Sequence, residues 1–102
     1  MFEMLRDLSK GLCITYSNAE IDKNGASLEK TTFIKTYPRI HFLWTDLRYK
    51  SASGNLIIYS GNDSDYRLEL AYRDSTNAVV LEQLLAFLWK EGNYAKLQRG
   101  EF

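Results

Sequence analysis

The spacing of apolar side chains changes twice along the chain and divides it into three parts. Near the N-terminus, Phe2, Leu5 and Leu8 recur at intervals of three with polar residues between them, which predicts a short amphipathic helix. Gly11 follows at a position where helices favour glycine as a terminator. We therefore predict an N-terminal helix within residues 1–11. Because so short a helix is marginal alone, it must pack on the rest of the protein.

The middle of the chain, residues 12–73, has the pattern of an antiparallel β meander. The alternation of apolar and polar residues is clearest over residues 66–73, where one face is expected to be buried and the other exposed. Turn residues separate short strand-like runs, and we predict six or seven strands. The runs cover residues 12–17, 19–23, 27–37, 39–50, 56–60 and 66–73.

Turn and bend signals punctuate this meander. Asn24 and Gly25 favour a type I′ hairpin turn, since both central residues of that turn need positive φ. Pro38 cannot donate a ladder hydrogen bond, so it indicates a strand end, a bulge or an edge strand. Asp46 interrupts the alternation of the run at residues 39–50 and predicts a bend or bulge there.

The last periodic segment predicts a C-terminal helix over residues 76–91. Its apolar residues form one stripe, and Gly92 follows as a helix C-cap. Phe87 and Trp89 widen the apolar surface beyond that stripe, so part of it is expected to face a partner or the N-terminal helix. Residues 93–102 are predicted to be a tail that either adds one helical turn or frays. The stripe consists of Ala78, Leu81, Leu85 and Leu88, and Leu84 lies beside it.

Together these segments predict an α+β fold in a single domain spanning residues 1–102. The antiparallel meander is expected to form a split barrel or a strongly bent sheet, and the long C-terminal helix packs on it. The short N-terminal helix packs beside them.

Four segments within residues 12–90 follow one another in the order found in a known superfold. They are Ile14-Thr15-Tyr16 with Ala19-Glu20-Ile21, Trp44-Thr45-Asp46-Leu47, Gly54-Asn55-Leu56-Ile57-Ile58-Tyr59, and Leu68–Tyr72 with Asn77–Leu88. This order resembles the pleckstrin-homology-like superfold, and its bacterial members are nearest in pattern. There the strands form a split barrel and the final helix closes one end, so the resemblance implies a scaffold that recognises lipids, peptides or proteins. The N-terminal helix is an addition to that pattern.

Charged residues in the first hairpin change what this resemblance implies. Superfold members that bind phosphoinositides carry clustered Lys and Arg in that hairpin. In this chain the region offers Lys23 and Lys30, and they are offset by Glu20, Asp22 and Glu29. The resemblance therefore implies a protein partner rather than a phosphoinositide.

The overall composition narrows the class of protein. The chain has 102 residues, with 13 Lys and Arg offset by 13 Asp and Glu, and 45% of its residues are hydrophobic. These proportions are typical of a folded globular protein and lack the basic excess of many proteins that bind nucleic acid or anionic lipid. Cys13 is the only cysteine, so no intrachain disulfide forms. No apolar run is long enough for a transmembrane helix, and the charged N-terminal segment does not fit a signal peptide, so a cytoplasmic location is expected.

Residues with catalytic or metal-binding chemistry are few and isolated. His41 can act as a general base, but catalysis also needs a nucleophile and an orienting group within reach, so we predict an exposed strand residue and no enzymatic activity. Cys13, between Leu12 and Ile14, is predicted to be a buried structural residue. The acidic turn at residues 61–66 lacks the glycine and terminal acid of an EF-hand loop. We expect neither a metal site nor a cofactor.

The sequence therefore favours a non-enzymatic protein-binding module, such as an adaptor, inhibitor or regulatory protein. Its surface is predicted at a strand edge or at the outer face of the C-terminal helix, and that helix face can also support a homodimer. The alternative is a protein that binds single-stranded nucleic acid through a sheet face with Tyr and Arg side chains. The alternation over residues 66–73 predicts that Tyr66 and Tyr72 point inward, which counts against this alternative. The predicted partner-binding residues are Phe87, Trp89, Arg39, Arg48, Tyr49, Arg67 and Arg73.

Overall fold

A computed structural model describes residues 2–16, 18–32, 34–74 and 76–102 and confirms the α+β class. A short helix precedes the strands, and a longer helix follows them. The 3-10 turns Trp44–Asp46 and Lys90–Gly92 connect neighbouring elements. The described helices and strands are α1 (Phe2–Ser9), β1 (Ile14–Tyr16), β2 (Ala19–Asp22), β3 (Gly25–Thr31), β4 (Thr36–Leu43), β5 (Leu47–Ala52), β6 (Asn55–Ser60), β7 (Arg67–Ala71), α2 (Thr76–Trp89) and α3 (Asn93–Gln98).

The described strands form two antiparallel sheets and do not close into a barrel. β1 to β4 follow one another in a four-stranded sheet, and β5 to β7 do so in a three-stranded sheet. The 3-10 turn at Trp44–Asp46 separates the two sheets, because it takes the chain out of β4 before β5 begins. An isolated antiparallel bridge between Lys30 and Tyr66 joins β3 to the residue that precedes β7. The predicted bend at Asp46 is thus confirmed, whereas the split-barrel form of the prediction is not met.

Gly11 ends α1 in the way its sequence position indicates. It adopts a φ of 91°, a left-handed conformation that favours glycine. Its N–H donates to the Leu8 carbonyl at 3.0 Å, and the Leu12 N–H donates to the Asp7 carbonyl at 3.0 Å. These bonds form a Schellman motif, which satisfies carbonyls that the helix end leaves unpaired. Leu5 and Leu8 face the core, with 3% and 0% of their surface exposed.

The turn between β2 and β3 lies one residue earlier than predicted. Asp22 pairs with Gly25 across these strands, so Lys23 and Asn24 are the central residues, and neither has a positive φ. Asp22 Oδ1 accepts hydrogen bonds from the N–H groups of Asn24 at 2.8 Å and Gly25 at 2.9 Å, which stabilises this turn. Gly25 is needed in the strand itself, since a Cβ there would lie 1.9 Å from the Phe42 carbonyl oxygen. The predicted type I′ turn centred on Asn24 and Gly25 is therefore wrong.

The long strand predicted over residues 27–37 is also wrong. β3 ends at Thr31, and the Thr32 N–H donates to the Lys35 carbonyl at 2.8 Å. The Thr32 hydroxyl donates to the same carbonyl at 3.0 Å and accepts from the Lys35 N–H at 3.1 Å. This local bonding joins Thr32 to Lys35, whereas the sequence predicted an uninterrupted strand there.

Pro38 lies within β4, which is an edge strand of the four-stranded sheet. The register between β3 and β4 shifts between Leu28 and Lys30, where Pro38 and Arg39 together lie opposite Glu29. The prediction of a bulge or an edge at Pro38 is confirmed on both counts, because a residue without an N–H is tolerated where the ladder is irregular and open on one side.

The core lies where both sheets meet α1, α2 and α3. Side chains from all of these elements belong to one apolar cluster. The stripe predicted for α2 is confirmed, since each of its members has 0% of its surface exposed. The cluster includes Leu5 and Leu8 from α1, Ile21 and Leu28 from the first sheet, Leu56, Ile58 and Leu68 from the second, Leu81, Leu84, Leu85 and Leu88 from α2, and Leu97 from α3.

The segment at residues 93–102 is folded against the body of the protein. Glu91 and Gly92 adopt positive φ values of 55° and 69°, and the kink they form lets α3 turn back onto α2. Leu97 on α3 is fully buried. The Phe102 N–H donates to Ser9 Oγ at 3.1 Å, which fixes this segment to the end of α1. Of the two predicted outcomes for this segment, the additional helical turn is confirmed.

Candidate functional site

An aromatic cluster around Trp44 closes one side of α2. The Trp89 ring lies 5.6 Å from the ring of Trp44, 5.6 Å from that of Tyr49 and 6.3 Å from that of Tyr94. Trp44 is fully buried, and its indole N–H donates to the Lys23 carbonyl at 2.9 Å. We call these four aromatic residues the Trp44 cluster. Two predicted partner-binding residues, Trp89 and Tyr49, are thus half-buried and pack against neighbouring aromatic rings.

The other predicted aromatic of α2, Phe87, lies at an open apolar recess. Its ring is 5.5 Å from that of Phe102, and both side chains line a groove of about 320 Å³ with Phe2 and Leu5 from α1. Phe2 projects from this surface with 74% of its area exposed, and Phe102 is 37% exposed. We call this surface the aromatic groove. Part of the apolar surface of α2 therefore faces α1, as expected from the sequence. The neighbouring rings of Phe2 and Phe102 remain exposed to solvent.

The rim of the aromatic groove carries one acid and one base. Glu3 and Arg6 line the groove and lie three residues apart on α1, so they occupy neighbouring positions on the helix surface. Both residues are exposed. Neither has an ion-pair partner within 4.0 Å in the described part of the chain. The groove thus combines an apolar floor with an electrically neutral rim whose charges are available to a ligand.

A second candidate surface lies on the outer face of the three-stranded sheet. Tyr59 of β6 is directly opposite Arg48 of β5 and Arg67 of β7, so the three side chains form one row across the strands. Lys50 Nζ lies 5.4 Å from the centroid of the Tyr59 ring. We call these residues the Tyr59 row. Sequence reasoning did not single out Tyr59, because the apolar residues on both faces of β6 hid its outward position.

The remaining tyrosines of this sheet region point inward, as predicted. Tyr66 is 9% exposed, and its ring lies 5.4 Å from that of Phe42. Tyr72 is half-buried, and its hydroxyl donates to Glu82 Oε2 on α2 at 2.8 Å. These residues therefore support the core and leave Tyr59 as the aromatic member of the Tyr59 row.

The predicted arginines are distributed over separate surfaces. Arg39 Nε lies 3.1 Å from Glu29 Oε1 on the four-stranded sheet. Arg48 donates to the carbonyls of Thr45 at 3.0 Å and Leu47 at 2.7 Å. Arg73 follows β7 with 91% of its side chain exposed. The structure brings Arg48 and Arg67 together across Tyr59 but places Arg39 and Arg73 elsewhere.

Arg67 also borders an acidic groove of about 390 Å³. Its guanidinium donates to the Ser64 carbonyl at 2.8 Å and to Glu69 Oε1 at 3.0 Å. The groove is further lined by Glu29 and Asp65, so its carboxylates outnumber its basic groups. Anionic ligands that approach the Tyr59 row from this side meet like charge.

His41 is an exposed strand residue, as predicted. Its Nε2 lies 3.0 Å and 3.2 Å from the two carboxylate oxygens of Asp22, and Ser27 is its direct neighbour on β3. The His41 imidazole is on the edge strand β4 and the Asp22 carboxylate is on the inner strand β2, with 38% and 25% of their side chains exposed. This arrangement orients His41 but does not enclose a substrate.

Cys13 is exposed, which corrects the prediction of a buried residue. β1 begins only at Ile14, so Cys13 lies in the connection that follows α1 rather than inside a strand. Its pKa is raised from the ordinary 9.0, chiefly by a hydrogen bond to the Glu20 carboxylate and further by a partial loss of hydration and by the charges of Glu20 and Asp22. The raised pKa makes the thiolate, which is the nucleophilic form, scarcer at neutral pH.

The described residues contain no cluster of three or more His, Cys, Asp or Glu side chains suited to hold a metal ion. In the acidic turn, Asp63 is engaged by Lys30, whose Nζ lies 2.9 Å from its Oδ2. Within the same described ranges, every helix is too short or too polar to cross a membrane.

Comparison with known proteins returned no match among family models, curated proteins or solved structures. The resemblance to the pleckstrin-homology-like superfold therefore remains a prediction from the sequence. The aromatic groove and the Tyr59 row stand as candidate sites on the evidence of their own geometry.

Proposed function

We propose that this protein is a non-enzymatic protein-binding module whose binding surface is the aromatic groove. The observation that carries the proposal is an apolar recess beside Phe2, a large side chain with 74% of its surface in solvent. A contiguous apolar patch bordered by charged residues is typical of an interaction surface. Adaptor, inhibitor and regulatory roles are all compatible with such a module.

Aromatic side chains make this groove suited to a protein ligand. Phe2, Phe87 and Phe102 each offer a rigid ring, and an incoming apolar side chain would contact all three. Burying one such side chain contributes roughly 1.5–3 kcal/mol, so a small number of anchors is enough for specific binding. The partner we expect therefore presents a projecting Phe, Leu or Met side chain.

A strand edge is the other protein-binding surface expected from the sequence. β4 is an edge strand and carries exposed Ile40 and Leu43, which are 43% and 50% exposed. Pro38 and the register shift beside it interrupt the row of backbone groups that a partner strand would pair with. The aromatic groove is therefore favoured over this edge.

Photocrosslinking at a single position tests the proposal. The photoreactive residue p-benzoylphenylalanine replaces Phe2 in one variant, and in the control it replaces Ile34, which is 92% exposed and does not line the groove. Irradiation in the native host is expected to give defined protein adducts from position 2 and not from position 34. Adducts that are absent at position 2, or identical from both positions, would contradict the proposal.

The Tyr59 row supports a second candidate function, the binding of single-stranded nucleic acid. A base can stack on Tyr59 while Arg48, Lys50 and Arg67 contact phosphates. Fluorescence anisotropy with a labelled oligothymidylate in low salt tests this candidate, because the phosphate contribution is largest there. Arg48→Ala should weaken binding, whereas Arg73→Ala, which removes an equally charged side chain outside the row, should not. No binding in low salt would exclude this function.

A further inference from the structure

We infer that the partner that occupies the aromatic groove is a second copy of this chain, related to the first by a two-fold axis. This inference rests on the proposed function, since it names the occupant of the same groove. It predicts a homodimer in which each Phe2 side chain enters the groove of the other copy.

The shape of the surface supports a two-fold contact. An interface with two-fold symmetry uses one patch twice, so that patch must contain both a projection and the recess that receives it. Phe2 is the projection, and the space between Phe87 and Phe102 is the recess. A groove that binds an unrelated partner requires only the recess, so binding of such a partner does not explain the exposed Phe2 ring beside it.

The charges on the rim support the same arrangement. When two copies of α1 cross in opposite directions, Glu3 of each copy comes opposite Arg6 of the other. The contact then contains two equivalent ion pairs around an aromatic centre. Because the described structure provides neither charge with an ion-pair partner, each remains available for that contact. Opposite charges at the rim align the two copies and exclude like-charged partners.

Most of the free energy of dimerisation is expected from burial of the Phe rings rather than from the Glu3–Arg6 ion pairs. Exposed ion pairs contribute little, while a buried aromatic anchor typically dominates an interface. The Phe102 N–H bond to Ser9 Oγ holds one wall of the groove in place before the second copy arrives. A recess formed in advance reduces the ordering cost of association.

Charge reversal in separate and mixed samples gives a direct test by sedimentation velocity over a range of concentrations. Wild-type protein should dimerise, and Glu3→Arg or Arg6→Glu alone should weaken dimerisation by about tenfold, because each puts like charges opposite one another twice. An equimolar mixture of the two variants should form heterodimers at least as readily as wild type. The double variant should also recover dimerisation, since it restores opposite charges in reversed order.

Removal of the projecting ring tests the other half of the inference. Phe2→Ala should weaken dimerisation by roughly 30-fold or more, whereas the control Ile34→Ser should leave it unchanged. Thermal melts of each variant show whether the protein remains folded, and recovery in the mixture of the two charge variants excludes misfolding as the cause of their loss.

The outcomes separate this inference from the proposed function. If wild type remains monomeric at high concentration while position 2 still crosslinks to other proteins, the homodimer inference is wrong and the proposed protein-binding function is retained. If wild type dimerises but neither the mixture nor the double variant recovers what the single reversals lose, the dimer uses another surface and the inference fails. If position 2 crosslinks to no protein and the chain is monomeric, both fail.

Discussion

Phe87 and Trp89 lie two residues apart on α2 and are both half-buried, yet they pack against different neighbours. Side chains two residues apart on a helix point about 200° away from each other. Trp89 points to the side where Trp44, Tyr49 and Tyr94 surround it. Phe87 points to the side where it lines the aromatic groove with α1 and Phe102, and there the rings of Phe2 and Phe102 remain open to solvent.

This difference separates two uses of aromatic residues in one small protein. The Trp44 cluster surrounds a fully buried indole whose N–H has a hydrogen-bond partner, so the surface of Trp44 already contributes to folding. The aromatic groove is open, so part of its apolar surface can still be removed from water by a ligand. Substitutions on the Trp89 side should therefore affect stability, and those on the Phe87 side should affect association.

The largest expected effect is at the centre of the Trp44 cluster. Trp44→Ala should lower the free energy of unfolding by about 3–5 kcal/mol, because it creates a cavity and removes the partner of the Lys23 carbonyl. Urea denaturation followed by circular dichroism measures this loss. Trp44→Phe should retain part of the stability, since a ring still fills much of the space. A loss below about 1 kcal/mol for Trp44→Ala would show that Trp44 does not belong to the core.

The next largest effect is expected at Trp89, and it can be compared directly with the effect at Phe87. Trp89→Ala should destabilise by about 3 kcal/mol, whereas Phe87→Ala should destabilise by only about 1–2 kcal/mol because one side of its ring has few neighbours. The same urea titrations measure both values, and sedimentation velocity measures dimerisation. Only Phe87→Ala should abolish dimerisation while most molecules remain folded. Equal losses of stability would remove the contrast between the two sides.

In a third aromatic site, the rings of Tyr37 and Tyr66 pack against the ammonium group of Lys30. Lys30 Nζ lies 5.1 Å from the ring centroid of Tyr37 and 5.7 Å from that of Tyr66, and its hydrogen bond to Asp63 lowers the pKa of that carboxyl below 3.8. The stability from this pair is therefore complete above pH 3.8 and is lost as the pH falls through the lowered pKa of the folded state.

The same bond raises the pKa of Lys30 above 10.5, so its contribution is complete below pH 10.5 and is lost only as the pH rises through the raised value. Asp63→Asn should make the stability less dependent on pH on the acid side, whereas Asp74→Asn, at a mostly exposed position, should not. Urea midpoints measured between pH 2 and 6 for the three proteins provide the check. Parallel pH profiles for wild type and Asp63→Asn would contradict the assignment.

The smallest expected change in stability is at the most exposed part of the groove. Phe2→Ala should alter the free energy of unfolding by no more than about 0.5 kcal/mol, because 74% of the residue is already in solvent. Its effect should appear in dimerisation instead. A marked loss of stability in dilute, monomeric samples would mean that Phe2 belongs to the core, and the comparison between the aromatic groove and the Trp44 cluster would fail.

The strongest periodic signals predicted the elements best. The α2 stripe and the strand pattern before it arise from burial on one face, and a residue's polarity is sufficient to indicate that. Turn positions were less predictable. Lys23 and Asn24 became the central turn residues because Asp22 bonds to the turn and Gly25 must approach Phe42, and that neighbour lies on a strand far along the chain.

The candidate sites were predicted only in part. Phe87 and Trp89 were both identified from the excess of apolar surface on α2, but that reasoning did not show that they pack against different neighbours. Nothing in the local pattern shows that Trp44 and Tyr94 converge on Trp89. Tyr59 was overlooked because it comes to lie beside Arg48 and Arg67 only through the register of three strands, which the local sequence pattern does not show.

The sequence by itself determined the α+β class, the buried face of α2, the helix end at Gly11 and the bend at Asp46. Each follows from side-chain polarity, from backbone preference or from local hydrogen bonding within a few residues. The tertiary structure alone decided that the strands form two sheets, that Trp89 packs on Trp44 and that the rings of Phe2 and Phe102 beside Phe87 stay open to solvent. These outcomes depend on which distant segments meet, and the turn at Trp44–Asp46 and the kink at Glu91 direct those segments.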